Sequence, residues 1–554
     1  MNYSPSQKVS NQYPEKRNYN LFTTDSALLE YFEKELSNWK TDLTRIGEDF
    51  GTEHTYHQAD LANKNNPELR AFDSRGHRID VVEFHPSWHW FMAYIKKTGI
   101  ISAPFESTEA GRWSYFAAGF YLMSQIEAGS MCPTTMTQGA IPLLQREPEL
   151  RKELGNKIMS REYDQRDIPI SEKYSIWLGM GVTEKQGGSD VRANQTEARP
   201  IEKSGRGQAY LISGHKWFYS APMCDAHLVV ARTADTGQIA CFFVPRWKFD
   251  GTKNPIYIQR LKDKVGNKSN ASSEVEFHDA WGIMIGEEGR GIPTIIEMAT
   301  YTRLATVLGS GGIIRQATVQ AIAYARRRKA FGKTLIDQPL MRNVLVDFAL
   351  ESEATLHLGM KLAEAFEAKE SDLKAMAWKR IGTPAAKYYV CKRAESLTAE
   401  AMEVLGGNGY VEEGILARLF REAPVNSIWE GSGNIMCLDV LRAMKKEPEL
   451  MKAFIEDLGS KSGGDNDILA LVRDLRKLLQ SDPKTLEAKA RLVADKLAIL
   501  MQAALMKECS PIFMSSAFTN IRIKQVHSLN YGGFDPEKIE SEKILARAFP
   551  PSVD

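Results

Sequence analysis

The chain has 554 residues, more than one hydrophobic core ordinarily serves, so roughly two to four domains are expected. A hydrophobic content of 43% and a charged content of 25% are ordinary for a globular protein, and a net charge of +1 gives no whole-molecule field to draw in nucleic acid or anionic lipid. No run approaches the ~20 apolar residues of a membrane helix, and the N-terminal stretch lacks the apolar core of a secretory signal.

The six cysteines (Cys132, Cys224, Cys241, Cys391, Cys437 and Cys509) are scattered, with no CxxC pair and no zinc-site spacing. They are expected to be reduced, mostly buried thiols of an intracellular protein. A cytoplasmic location is expected, with the mitochondrial matrix as the alternative. The first residues carry Lys8, Lys16 and Arg17 against Glu15 and read as a disordered or subunit-crossing arm, with a transit peptide as the other reading.

In chain order, residues 25–175 have a helical pattern with long loops. Leu28, Leu29, Phe32 and Leu36 recur at helical spacing behind the N-cap candidates Asp25 and Ser26. Phe116, Phe120 and Met123 mark another helix, which stops near Gly129–Pro133. From 180 to 287 the pattern changes to short β-rich runs bounded by Gly and Pro, which predicts an antiparallel barrel or sandwich. From 292 longer helices return, with Ile314, Ala317, Ala321 and Ala325 on one face and Leu340, Val344 and Phe348 on another. Beyond 446, a linker-like break at Lys461–Asp467 precedes two further amphipathic stripes.

Familiar phosphate and metal motifs are missing. Gly309-Ser-Gly311 lacks the third glycine of a dinucleotide fingerprint, and no P-loop occurs. His85 and His89 have HxxxH spacing, but Pro86 interrupts them and no Glu follows His85, so no metal is expected. What remains is a set of glycine-rich strings. Residues 428–434 read Ile-Trp-Glu-Gly-Ser-Gly-Asn, in which Gly431 lets backbone approach a ligand closely and Ser432 suits the N-cap of a following helix. Glu430 in that setting is either a general base or a carboxylate favoured by the helix N-terminus. Gly-Val-Thr-Glu-Lys-Gln-Gly-Gly-Ser-Asp at 181–190 is either a cradle for a flat polar ring or a turn between domains.

Together with Lys216-Trp-Phe-Tyr-Ser220, Arg328-Lys-Ala-Phe-Gly332 and Glu403-Val-Leu-Gly-Gly-Asn-Gly-Tyr410, these strings resemble the acyl-CoA dehydrogenase family over about residues 120–445. The resemblance implies an α+β, mainly α fold. It would comprise an N-terminal arm and helical domain (1–178), an antiparallel β-barrel or sandwich domain (179–290), a helical bundle (291–446) and an extra C-terminal helical domain (447–554). It implies Glu430 as catalytic base, whose own backbone N–H helps polarise the substrate carbonyl, and FAD as cofactor. Gly181, Val182, Thr183, Gly188, Ser189, Phe218, Tyr219 and Ser220 would line the flavin, as would Trp429, Gly431, Ser432 and Asn434. Arg328, Phe331, Gln338, Glu403, Gly406 and Gly407 would reach the cofactor of a neighbouring subunit, hence a homotetramer. Glu403 stands where many members have Gln.

Ser189 and Arg303 would contact substrate with Glu430; Thr300 replaces the acidic residue that often precedes this arginine. Cys132–Thr137 would wall the acyl pocket or simply pack. The long tail and the strings at 183–189, 261–264 and 426–437 look like the AidB branch of the family. The implied reaction removes an α proton and a β hydride from acyl-CoA to give trans-2-enoyl-CoA, with an electron-acceptor flavoprotein as partner. The rival reading is a low-turnover, flavin-bearing protein that sequesters acyl-CoA, or an alkylation-response DNA binder. DNA ranks low, because residues 451–554 hold 15 Lys/Arg and 14 Asp/Glu, an excess of one.

Overall fold

The computed structural model describes residues 9–34, 36–525 and 530–553; Lys8 lies outside the described residues. The elements that bear on the site begin with helix α1 (Ser26–Lys34), the hairpin β1 (Glu68–Phe72) and β2 (Arg78–Glu83), and helices α2 (Arg112–Ser124) and α3 (Met131–Gln145). Seven strands follow: β3 (Leu178–Gly181), β4 (Glu197–Pro200), β5 (Ala209–Ser220), β6 (Ala226–Thr233), β7 (Ile239–Pro245), β8 (Ile256–Leu261) and β9 (Ser272–Ile285). Helix α4 (Gly291–Arg327) leads to a short hairpin, β10 (Lys329–Ala330) and β11 (Lys333–Thr334). Helices α5 (Pro339–Glu367), α6 (Thr383–Leu405), α7 (Ile415–Ile428), α8 (Gly433–Lys446) and α9 (Ala490–Cys509) complete the set. The chain forms two compact units: Met1–Tyr56 with Ala117–Ile126 and Thr306–Asp554, and His57–Phe116 with Glu127–Ala305.

The second unit is built on a closed sheet. Pairing runs β6-β4-β5-β9-β7 and returns to β6, with β3 added on β6 and β8 on β9. Closure removes the exposed edges that would otherwise invite another strand. Tyr210, Ile212, Val229, Phe242, Val275 and Phe277 fill the interior, each worth about 1.5–3 kcal/mol of burial. The barrel is antiparallel as expected except at β3–β6 and β4–β6, which are parallel. Parallel neighbours need a long connection, and the chain from β3 to β6 supplies one.

The N-terminal region is not helical throughout, as its pattern suggested. The β1–β2 hairpin turns at Asp73, whose carboxylate accepts the N–H groups of Arg75 and His77 at 2.8 and 2.9 Å. Leu69 and Val82, opposite each other in register, pack on the barrel core. His85 caps the helix Pro86–Thr98 by accepting from Ser87 N–H, and His89 Nδ1 lies 2.6 Å from the Tyr163 hydroxyl.

In the first unit, α1 starts at Ser26, and Asp25 accepts the Leu28 N–H at 3.3 Å, the capping role its position predicted. The described part of the arm is anchored on its own chain. Lys16 and Gln320 exchange two backbone–side-chain bonds of 2.8 Å, and Glu15 accepts the Ile415 N–H at 2.7 Å. The segment after 446 shares this unit with the bundle: Trp378 Nε1 donates to Asp457 at 2.9 Å, and Arg547 pairs with Glu353 at 2.8 Å. Five cysteines are buried and Cys509 is half-buried, all as free thiols. Among the described residues, no helix is long and apolar enough to cross a membrane.

Candidate active site

Helix α7 ends at Ile428, and α8 starts at Gly433. The four residues between them form a turn, and two adopt left-handed backbone: Glu430 at φ 60° and Gly431 at φ 107°. For a residue with a Cβ this conformation costs about 1–2 kcal/mol, so something must hold Glu430 there. Lys387, on α6 and 1% exposed, donates to the Trp429 carbonyl at 2.7 Å and to the Gly431 carbonyl at 2.5 Å. Next to it, the Tyr388 ring packs under Gly433, where a Cβ would meet Cδ2 at 3.3 Å.

Glu430 is half-buried. Trp429 keeps its indole N–H buried, with no partner among the described residues, an atom available to a ligand. Ser432 occupies the N-cap position of α8 but makes no side-chain cap bond; its carbonyl accepts the Met436 N–H at 2.9 Å. Asn434 Oδ1 accepts from Arg491 Nε on α9 at 2.8 Å, so a residue of the C-terminal extension contacts the first turn of α8.

In the second unit, β3 ends at Gly181 and the glycine-rich string forms an open loop. Glu184 fastens it. Its carboxylate accepts the Gln195 and Thr196 N–H groups at 2.7 and 3.1 Å and the Lys216 ammonium at 2.7 Å, with both side chains fully buried. Burial pushes the Glu184 carboxyl up, but Lys216 and these donors outweigh it and hold it at about 2. Burial pulls the Lys216 ammonium down, against the pull of Glu184. The Val182 carbonyl accepts from Asn194 Nδ2 at 2.9 Å, and the Thr183 carbonyl accepts the Trp217 N–H at 2.8 Å. A Cβ at Gly188 would collide with the Thr183 hydroxyl, so only glycine leaves that hydroxyl in place. Ser189 is exposed.

On β5, a bulge between Lys216 and Tyr219 turns Phe218 outward, 52% exposed, while Tyr219 turns inward. Tyr219 lies in the barrel core, stacked on His227 with ring centroids 3.9 Å apart, so its ring is unavailable and only its main chain could serve a ligand. Ser220 is half-buried, and its carbonyl meets His227 Nε2 at 3.1 Å. An exposed aromatic beside an open, anchored glycine loop with a hydroxyl packed against Gly188 fits a planar polar ring. Arg303, on α4, is 5% exposed, and Thr300 bonds back to the Ile296 carbonyl at 3.0 Å. The α3 residues Cys132, Pro133, Thr134, Met136 and Thr137 are buried.

The residues expected to reach a neighbour lie on the first unit. Phe331 tips the β10–β11 hairpin at φ 51° and is 99% exposed. Arg328 donates to the Asn11 carbonyl, and Gln338 Nε2 donates to the Ala330 carbonyl at 3.0 Å. Glu403, Gly406 and Gly407 are exposed, with open space where Cβ atoms would sit on both glycines. Sequence reasoning missed Lys387 and Arg491. Lysine in the apolar run Pro384-Ala-Ala-Lys-Tyr-Tyr-Val-Cys was the one available signal for the first; nothing local marks the second.

Family models match the acyl-CoA dehydrogenase middle domain at residues 179–280, the acyl-CoA dehydrogenase C-terminal domain at 289–445 and the adaptive response protein AidB N-terminal domain at 11–165. The chain belongs to the acyl-CoA dehydrogenase family, in its AidB-like branch. It is 46% identical over 476 residues to AidB of Escherichia coli (strain K12), covering 85% of this chain and 87% of that one. The crystal structure of Caenorhabditis elegans ACDH-11 in complex with C11-CoA matches with a TM-score of 0.85 at 26% identity, covering 98% and 97% of the two chains. An acyl-CoA dehydrogenase of Bacillus anthracis complexed with FAD shares the fold, with a TM-score of 0.69 at 18% identity over 93% and 87% of the chains.

Proposed function

We propose that this protein is an FAD-dependent acyl-CoA dehydrogenase in which Glu430 removes the α proton of an acyl thioester that also gives up a β hydride, yielding trans-2-enoyl-CoA. The observation that carries the reading is the backbone at 430. A carboxylate is held in a strained left-handed turn at the head of a helix, with carbonyls on both sides fixed by a buried ammonium. Strain of this kind concentrates at functional sites, where a side chain must be aimed rather than merely accommodated. A positioned base contributes typically about 10²–10⁴-fold, and a backbone N–H on the thioester oxygen a further ~3–4 kcal/mol.

The residues suited to hold FAD are Gly181, Val182, Thr183, Gly188, Ser189, Phe218 and Ser220, with Tyr219 contributing main chain. Trp429, Gly431, Ser432 and Asn434 are further residues proposed to contact it. Bound FAD supplies a hydride acceptor, which no protein side chain provides. Arg303 and Ser189 are the proposed orienting groups for the acyl-CoA. The C11-CoA bound by the worm relative supports that ligand class. An electron-acceptor flavoprotein completes the scheme. The bare aromatic at Phe331 and the open turn at 406–407 support a homotetramer in which each chain completes a neighbour's cofactor site.

Glu430→Gln should bind FAD as the parent does and lose anaerobic bleaching by acyl-CoA by at least about 10²-fold. Bleaching at the parental rate would remove Glu430 as base. Acyl-CoAs of graded length, added anaerobically to the parent, distinguish turnover from sequestration. Tight binding that perturbs the flavin spectrum without bleaching it would support the low-turnover reading instead.

A further inference from the structure

We propose that Lys387 is the positioning residue of the catalytic loop, holding Glu430 in its left-handed conformation by binding the carbonyls on both sides of it; this rests on the reading of Glu430 as the base. An ammonium taken out of water must be compensated by close, well-aligned acceptors. Lys387 projects from an α6 face where Ala385, Ala386, Val390 and Cys391 are fully buried. It donates to the Trp429 and Gly431 carbonyls, which belong to the residues on either side of Glu430.

The arrangement specifies one backbone conformation. Returning Glu430 to negative φ requires the 429–430 peptide plane to turn over, which takes the Trp429 carbonyl off the ammonium. Each carbonyl has left its helical pattern, Trp429 at ψ 165° beyond the end of α7, so no helix bond replaces what is lost. Lysine suits the position because its compact head carries three donors that rotate to meet converging acceptors. From the same helix, Lys392 Cε and the ring of the adjacent Tyr388 lie against Gly433, at 3.1 and 3.3 Å from where a Cβ would be. Helix α6 thus supports this segment at two points.

The test uses full-length, FAD-loaded protein with Lys387→Met, and with Lys387→Arg as the variant that keeps a cation and forked donors. Lys387→Met should retain FAD. Amide exchange at 430–433 should rise by about tenfold or more, while barrel strand β6 stays unchanged. The limiting bleaching rate at saturating acyl-CoA should fall on the order of 100-fold, with the apparent Kd for acyl-CoA within about threefold, because misplacement of a base harms chemistry more than binding. Lys387→Arg should recover part of the rate and of the protection. Parental exchange at 430–433 in Lys387→Met would overturn the proposal. If Lys387→Met does not fold, Lys387→Gln replaces it, and parental exchange at 430–433 in that variant overturns the proposal equally. A parent that no acyl-CoA bleaches, combined with a loop that still loosens in the variant, would remove the base role of Glu430 and leave the positioning role intact.

Discussion

At the scale of single residues, the site depends on backbone angles that side chains ordinarily avoid. Glu430 and Gly431 are consecutive left-handed residues, and only the second is free of a Cβ penalty. Alanine at 431 would add a second strained residue beside the first. Gly431→Ala is therefore expected to lower the free energy of unfolding by about 1–3 kcal/mol. Its denaturant midpoint should fall with an unchanged m-value. A variant as stable as the parent would mean that φ 107° is not required there. Gly188 is constrained differently, by the Thr183 hydroxyl that occupies the space a Cβ would need.

At the scale of elements, the 181–190 loop is positioned by one ion pair rather than by regular structure. Glu184 accepts from two amides and Lys216, and Lys216 also donates to the Val230 carbonyl at 2.8 Å, which ties the loop to β5 and β6. Glu184→Gln would leave a buried ammonium without its counter-charge, a change that typically costs about 3–5 kcal/mol. The pH dependence follows from the lowered carboxyl. Its folded value of about 2 lies below its ordinary 4.5, so its contribution to stability is complete above 4.5 and disappears as pH falls toward 2. Protection of the 181–196 amides from exchange, taken relative to the intrinsic rate at each pH and followed from about pH 5 downward, should fall across that window in the parent. In Glu184→Gln it should already be low at about pH 5. A parent loop as protected at about pH 2.5 as at about pH 5 would contradict the assignment.

At the scale of the whole molecule, the stretch after 446 shares one compact unit with the bundle. Arg522, fully buried on this extension, lies 3.2 Å from Glu351 of α5 and pairs with Asp347; Arg547 bridges Glu353 and Glu30 at 2.8 and 2.6 Å. Cutting the chain after Lys446 would take Arg522 from buried Asp347 and Arg547 from buried Glu353, and strip the apolar face of α5 that packs on α9. The truncated chain is expected to be insoluble or to lose cooperative unfolding. Recovery of a soluble 1–446 protein with parental thermal stability would show instead that the extension is separable.

The sequence by itself determined what local chemistry encodes. The Asp25 cap, the glycines at 181, 188, 406 and 431, the change from helical to strand periodicity near 180 and the candidate base at 430 were all legible. Each depends on neighbours within a few residues. The β1–β2 hairpin was also written locally, in the Asp73 turn and the alternation of Arg78–Glu83, but the surrounding helical pattern outweighed it. Tertiary structure alone decided the rest. Parallel pairing of β3 and β4 with β6, docking of the arm at Gln320, and the incorporation of the extension into the bundle all depend on long-range partners. Lys387 is the clearest case. Its acceptors lie 42 and 44 residues away in sequence, and a lysine among alanines carries no mark of them until the chain folds and a buried charge must find oxygen.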